Sequence, residues 1–228
     1  MAEFNSLEDL EKEIIACREC PRLVEWREKV GVVKRRAFRD EHYWAKPVPG
    51  FGDLAARVLV LGLAPGAHGS NRTGRMFTGD DSGNFLYPAL HRAGFANQPQ
   101  ARSIEDGLAL KQIFINAVCR CVPPDNKPTP GEIVACRKFL DLELVLLPHL
   151  VGVVALGKIA FDAIQRIYAT PGVTRGTVRF GHGVLVDGSG EKPWILGSYH
   201  PSRQNTQTGR LTQEMFDQIW NKVNQMLK

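Results

Sequence analysis

No apolar run in this chain approaches the ~20 residues needed to cross a bilayer. The first residues, Met1, Ala2, Glu3 and Phe4, lack the basic and apolar regions of a signal peptide. No internal repeat, low-complexity tract or long linker divides the sequence. These absences argue against membrane, secreted and modular classes. They set the expectation of one cytosolic domain over residues 1–228, a length sufficient for its own core. The phosphate-binding signature G-x4-G-K-[ST] is also missing, and the glycine-rich segment after residue 61 is not G-x-G-x-x-G. Cysteine is sparse, with five residues. In a cytosolic chain a C-x2-C pair reads as a metal or redox site before it reads as half of a disulfide framework.

The cysteines that are present come in pairs. Cys17 and Cys20 close an N-terminal helix, and Cys121 and Cys136 follow about a hundred residues later. Paired cysteines imply a shared object. Cys119 and Cys121 lie two apart, so on an extended segment either one supplies the third ligand. Cys136 sits two turns inside a helix. The C-x14-C spacing of the second pair is untypical of zinc ribbons and favours an iron–sulfur cluster over Zn²⁺. Buried, unliganded cysteines are the plain alternative.

Charge is mildly basic, with 29 Lys and Arg against 24 Asp and Glu. The excess gathers in residues 27–46, where Arg27, Lys29, Lys34, Arg35, Arg36, Arg39 and Lys46 face only Glu28, Asp40 and Glu41. Such a stripe attracts phosphate backbones, or is an ordinary solvated face.

Four short apolar runs alternate with helical patterns: residues 58–63, 113–118, 151–156 and 194–198. Continuous apolarity fits strands buried on both faces. Helices are expected at 6–17, with an extension over 23–30, and at 82–94, 130–148, 157–169 and 211–227. Ser6 reads as one N-cap, and Thr129, Pro130 and Glu132 as a capping box. A small hairpin is expected over 177–186. The alternation predicts an α/β protein, a three-layer α/β/α sandwich around a central four-stranded parallel sheet. Ligands then bind beyond the carboxyl ends of the strands.

Of the four segments leaving those ends, 62–84, 119–130, 157–158 and 199–210, all but 157–158 are long and polar. Residues 62–80 are rich in glycine, so backbone N–H groups can approach a ligand. Phe77 within them offers an aromatic face or a core anchor. Residues 198–210 begin with His200 and Pro201 and run on through two arginines and several amides, suited to phosphates and base edges. His68 is a weaker candidate. His42, His91, His149 and His182 have no supporting context.

At these residues the chain resembles the uracil-DNA glycosylase superfamily, and within it the fifth, B-type family. The likeness is carried by residues 62–80, by Cys121 to Pro130 and by His200 to Leu211, and it extends from about residue 7 to the C-terminus. It implies an α/β/α sandwich and a monofunctional glycosylase that flips and removes uracil and other deaminated bases, hypoxanthine among them, with xanthine and mismatched thymine as extensions. It implies a [4Fe–4S] cluster on Cys17, Cys20, Cys121 and Cys136, leaving Cys119 spare. The partner is DNA carrying deaminated bases, double-stranded or single-stranded, bound by a monomer in the prokaryotic cytoplasm at the nucleoid. Ala117 stands where the related A-type family carries a uracil-reading Asn, which suggests broader base tolerance.

On that resemblance His200 donates to the departing base and Asn126 positions the water. Leu63 and Ala64 stand where related families place a carboxylate, and neither accepts a proton. Asp80 assists electrostatically or caps the following helix, with capping the stronger reading. Gly62, Ala64, Pro65, Gly66 and Phe77 border the base. Ser70, Asn71, Arg72 and Arg75 grip phosphates, and His68, Ser202, Arg203, Gln204 and Asn205 complete the DNA surface, with Arg203 and Gln204 entering the duplex. The rival readings are a zinc-containing nucleic-acid-binding module and a small α/β nucleotide hydrolase.

Overall fold

The computed structural model describes residues 6–169, 178–188 and 192–228. Helix α1 (Leu7–Ala16) starts at Ser6, whose hydroxyl accepts the Asp9 N–H at 3.1 Å. Helix α2 (Pro21–Val33) is a separate helix rather than an extension of α1, because Pro21 opens it at its first position. Cys17 and Cys20 therefore sit at the joint, one ending α1 and the other preceding α2.

Strands β1 (Phe51–Gly52) and β2 (Val58–Gly62), the single-turn helix α3 (Ser70–Thr73), α4 (Asp81–Arg92), β3 (Ile113–Ala117) and α5 (Pro130–Leu146) follow. Then come β4 (Gly152–Leu156), α6 (Lys158–Tyr168), β5 (Leu185–Val186), β6 (Trp194–Ser198), α7 (Arg203–Gln207) and α8 (Gln213–Met226). The capping box of α5 is complete: Glu132 N–H donates to Thr129 Oγ1 at 3.3 Å and Thr129 N–H to Glu132 Oε2 at 2.7 Å.

The sheet runs β1-β3-β2-β4-β6-β5. Its four central strands are parallel, as the apolar runs predict. The sheet nonetheless has six strands, because two dipeptides add antiparallel edges: Phe51 pairs with Ile115 and Leu185 with Leu196. Two-residue strands leave no periodicity in a sequence. The hairpin expected over 177–186 is not formed among the described residues of that segment. Instead Gly183 and Val184 bond to Gly197, and β5 is zipped to β6.

Alternate residues of each central strand face opposite layers. Val58 and Val60 pack with Leu86 and Tyr87 of α4 and Phe216 and Trp220 of α8. Leu59 and Leu61 pack with Leu140 of α5 and Phe161 and Ile164 of α6. Leu10 and Ile14 place α1 outside α5, against Phe139. The three-layer sandwich is thus present, with α1 as an outer flap.

One polar network crosses this interior. Arg120, just past β3, forms a buried ion pair with Glu143 of α5, and Asn116 Nδ2 donates to the same carboxylate at 2.5 Å. All three side chains are essentially inaccessible. Removing one partner of a buried pair strands the other charge, at a cost of ~3–5 kcal/mol. Glu143→Ala should lower the unfolding free energy in urea by about that much, whereas a loss below ~1 kcal/mol, the scale of an exposed pair, would contradict the burial.

Candidate active site

The central strands run parallel, so Gly62, Ala117, Leu156 and Ser198 finish at one edge of the sheet. The loops leaving that edge enclose a cleft of about 870 Å³. Its walls come from the 62–80 segment, from Asp125 and Asn126, and from His200, Ser202, Arg203 and Gln204. Arg35 and Phe38 of the basic segment close it from outside.

Phe77 is held in a left-handed conformation (φ 53°). Two glycines make that possible. A Cβ on Gly62 would meet the Phe77 ring at 2.8 Å, and one on Gly83 would meet the Phe77 carbonyl at 1.7 Å. The Tyr87 hydroxyl fixes the preceding turn by donating to Met76 O at 2.7 Å. Phe77 is thereby both a core anchor, 8% exposed, and a wall of the cleft.

His200 packs on Phe77 with ring centroids 5.7 Å apart, tilted by 33°. Its carbonyl receives Asn205 Nδ2 at 2.9 Å, so Asn205 steadies the histidine loop and does not line the cleft. No group among the described residues hydrogen-bonds the imidazole. Burial pushes its pKa down to about 4. At neutral pH the ring is an uncharged donor facing an open cleft.

Asp80 caps α4, accepting the Gly83 N–H at 3.0 Å, in keeping with the stronger sequence reading. It also borders the cleft. Gly66 and Gly69 leave room for its carboxylate, since a Cβ on either would lie 2.8 Å or 2.0 Å from Oδ2. Burial raises its pKa, partly opposed by the Gly83 and Ser82 N–H groups. Asn126 is exposed on the 3₁₀ turn Pro124–Asn126, where Asp125 (φ 54°) and Asn126 (φ 56°) are both left-handed.

Several residues expected at the DNA surface turn inward. Arg75 pairs with Asp106 through two bonds of 2.9 and 2.7 Å and donates to Thr78 Oγ1 at 2.9 Å. Arg72 donates to His68 O and Gly79 O, pairs with Glu41 and lies over the Phe38 ring. Asn71 is fully buried and donates to Arg27 O. These three brace the glycine-rich loop, and the phosphate contacts expected of them are withdrawn. Ser70 borders the cleft yet is only 2% exposed, too little for a phosphate grip. Gly62 and Pro65 are buried and take no part in the lining, while Ala64 and Gly66 do. Arg35, left unassigned within the basic stripe, does reach the cleft because Lys34 turns the chain (φ 51°). Met76 and Asp125, which lie inside the two motifs without being singled out there, also line it.

Away from the cleft, Cys17, Cys20, Cys121 and Cys136 line one small cavity with Leu23, Phe139 and Arg120. Cys119 is wholly buried and outside that lining. Arg27 Nη1 donates to Cys121 Sγ at 3.0 Å, and the Arg120 N–H to Cys136 Sγ at 3.3 Å. Arg27 is 2% exposed, and its nearest carboxylate is Glu28 at 4.0 Å. Arg27 Nε and Arg120 Nε and Nη1 are buried with no hydrogen-bond partner among the described residues. Among the described residues, no three His, Cys, Asp or Glu side chains gather closely enough to hold a single metal ion.

The sequence model of the Uracil DNA glycosylase superfamily matches residues 49–224. A Type-5 uracil-DNA glycosylase of Thermus thermophilus is 54% identical over 206 residues, 90% of this chain and 91% of that one. One of Mycobacterium bovis is 50% identical over 228 residues, 99% of this chain and 81% of its own. A Type-4 uracil-DNA glycosylase of Archaeoglobus fulgidus is 28% identical over 202 residues, 87% and 83% of the two chains. A match of this length, with half-identical relatives spanning the glycine-rich loop, the strained turn and the histidine loop alike, places the chain in the uracil-DNA glycosylase superfamily, on its type-5 branch.

Proposed function

We propose that this protein is a DNA glycosylase that initiates base excision repair by hydrolysing the N-glycosyl bond of uracil in DNA. The observation that carries the reading is an uncharged imidazole, His200, set against Phe77 in an open cleft at the strand ends. A base inside a duplex is out of reach, so the nucleotide is extruded, at a cost of a few kcal/mol that is least for mismatches. At about 870 Å³ the cleft has room for a nucleotide as well as a base.

The bond breaks toward an oxocarbenium-like sugar and an anionic base, and catalysis consists of stabilising that charge. His200 donates a hydrogen bond to the base oxygen on which charge develops. Phe77 offers its ring to the flipped base. Asn126 orients the water; an amide is a poor base, so bond cleavage runs ahead of attack. Leu63 and Ala64 line the cleft and contribute no carboxylate. Arg203 and Gln204 stand at the rim, where the duplex would be entered. Hypoxanthine, xanthine and mismatched thymine fit the same chemistry, since each leaves as a stabilised anion, and Ala117 in place of an amide removes one uracil-specific contact. Duplex DNA, bound by a monomer, is the expected substrate form.

The cysteine cavity fits a [4Fe–4S] cluster on Cys17, Cys20, Cys121 and Cys136. Four thiolates around one Zn²⁺ would crowd together at about 2.3 Å from the ion, whereas cluster ligands bind separate irons and stand farther apart. Arg27 adds an independent argument: a buried guanidinium without a close carboxylate calls for an anion beside it, and a thiolate cluster is one. When bound, the cluster supplies iron–thiolate bonds that tie the α1–α2 joint to α5. The hydrolysis itself is left to the cleft.

Three outcomes test these readings. His200→Ala should cut single-turnover excision of uracil by more than ~10-fold while DNA binding persists, the loss of one charge-stabilising donor; near-normal chemistry removes His200 from the mechanism. Because burial pushes the folded imidazole's pKa down to about 4, the ring stays neutral above that pH. The excision rate should therefore carry no His200-dependent step near pH 6.5, and a step there that disappears in His200→Ala would overturn the assignment. Cys121→Ser should lose the brown iron–sulfur absorbance while Cys119→Ser keeps it, and the converse result would exchange the two residues.

A further inference from the structure

We infer that His68 is a second N–H donor in the cleft, binding a backbone phosphate of the extruded nucleotide, and that Tyr43 is the positioning residue that locks the tautomer this requires. The inference rests on the glycosylase reading above.

Tyr43 precedes the glycine-rich loop by some twenty residues and carries no motif. Its side chain is buried, 4% exposed, and meets His68 edge-on with centroids 6.1 Å apart. The phenol oxygen lies 3.0 Å from His68 Nδ1, and the Arg35 N–H donates to that same oxygen at 3.5 Å. One proton assignment satisfies every group. If Nδ1 carried the imidazole proton, two N–H groups would point at the phenol oxygen and the phenol proton would be left without an acceptor in a buried site. With the phenol donating to Nδ1, all three are satisfied, and the imidazole proton is placed on Nε2.

No group among the described residues bonds to Nε2, and the His68 ring lines the cleft. Burial, with Arg35 and Arg72 nearby, holds its pKa below the ordinary value. Arg72 Nε fixes the His68 carbonyl at 2.8 Å and so sets the backbone from which the ring projects. Arg35 lines the cleft beside it and supplies the cation. An N–H donor next to a guanidinium recognises an anionic oxygen. The base oxygen is already served by His200, which leaves the phosphodiester.

The test combines three measurements on the full-length protein. Uracil-containing duplexes carry a single neutral methylphosphonate at each linkage around the lesion in turn. In the wild type, one linkage should lower kcat/KM by about tenfold, the scale of one charge-assisted hydrogen bond. His68→Ala should lose about the same on the natural duplex and show no added penalty at that linkage. His68→Gln, which keeps an N–H donor, should recover part of the loss. The imidazole ¹⁵N spectrum should show His68 as the Nε2–H tautomer at pH 7, and Tyr43→Phe should mix the tautomers while leaving the fold intact. A His68→Ala variant that retains the full penalty at every linkage would overturn the phosphate contact. A wild-type spectrum of the Nδ1–H form or of imidazolium would overturn the role of Tyr43. Absence of uracil excision by the wild type would sink the glycosylase reading and the phosphate contact that rests on it, whereas the tautomer set by Tyr43, measured without substrate, would be confirmed or overturned by the spectrum on its own.

Discussion

The missing charge on His200 is the condition on which the rest of the site turns. An imidazole in water is protonated in part near neutrality, and there it would attract phosphate as readily as base. Here packing on Phe77 and the surrounding protein disfavour the charged form and push the pKa down to about 4. On the proposed reading, what remains is a dipolar donor that gains most when the base becomes an anion, so its contribution grows along the reaction coordinate. With Leu63 and Ala64 unable to take a proton, the site cannot drive the water hard. Stabilising the leaving group is then the step at which this chain can lower the barrier.

The arginines divide by a single criterion, the availability of carbonyls and carboxylates inside the protein. Arg72 finds two carbonyls and the Glu41 carboxylate, and Arg75 finds Asp106 and the Thr78 hydroxyl, so their forks are filled and they act as braces for a loop that has few side chains of its own. Arg27 finds a cysteine sulfur and a carbonyl but no close carboxylate, which marks the cavity beside it as a place for negative charge. Arg35 and Arg203 remain at the cleft rim, where Arg203 has only a loose pairing with Asp81 at 3.7 Å. Long-range attraction to DNA falls to these rim residues and the exposed stripe around them, and it should weaken steeply with salt.

Much of this was legible in the residues. The four buried strands announce themselves by unbroken apolarity, α5 by Thr129, Pro130 and Glu132, and the site by polar loops too long for mere connection. Three things were not legible. Edge strands of two residues carry no period. The direction of Arg72, Arg75 and Asn71 depends on Glu41, Asp106 and the Arg27 carbonyl, partners 31 to 44 residues away that no local pattern links to them. Tyr43 acts through His68, and a contact between a motif and an unremarkable residue leaves no signature in either. Position along a strand could be read from the chain; the facing of a long polar side chain could not.

Backbone strain points to the same place as the chemistry. Of the non-glycine residues with positive φ among those described, Phe77, Asp125 and Asn126 border the cleft, and Lys34 aims Arg35 at it. Asn and Asp tolerate this conformation better than most residues, but Phe does not, and each instance costs on the order of 1 kcal/mol. A fold selected for stability alone would relax them. They persist because the surroundings over-determine them: Gly62 and Gly83 admit the Phe77 geometry, and Pro123 and Pro124 restrict the turn that presents Asn126. On the proposed reading, the wall that receives the base and the turn that presents the water-orienting amide are thus both set before substrate arrives. That is what a reaction with no strong base requires, since its remaining advantage is to have each dipole in place when the bond parts.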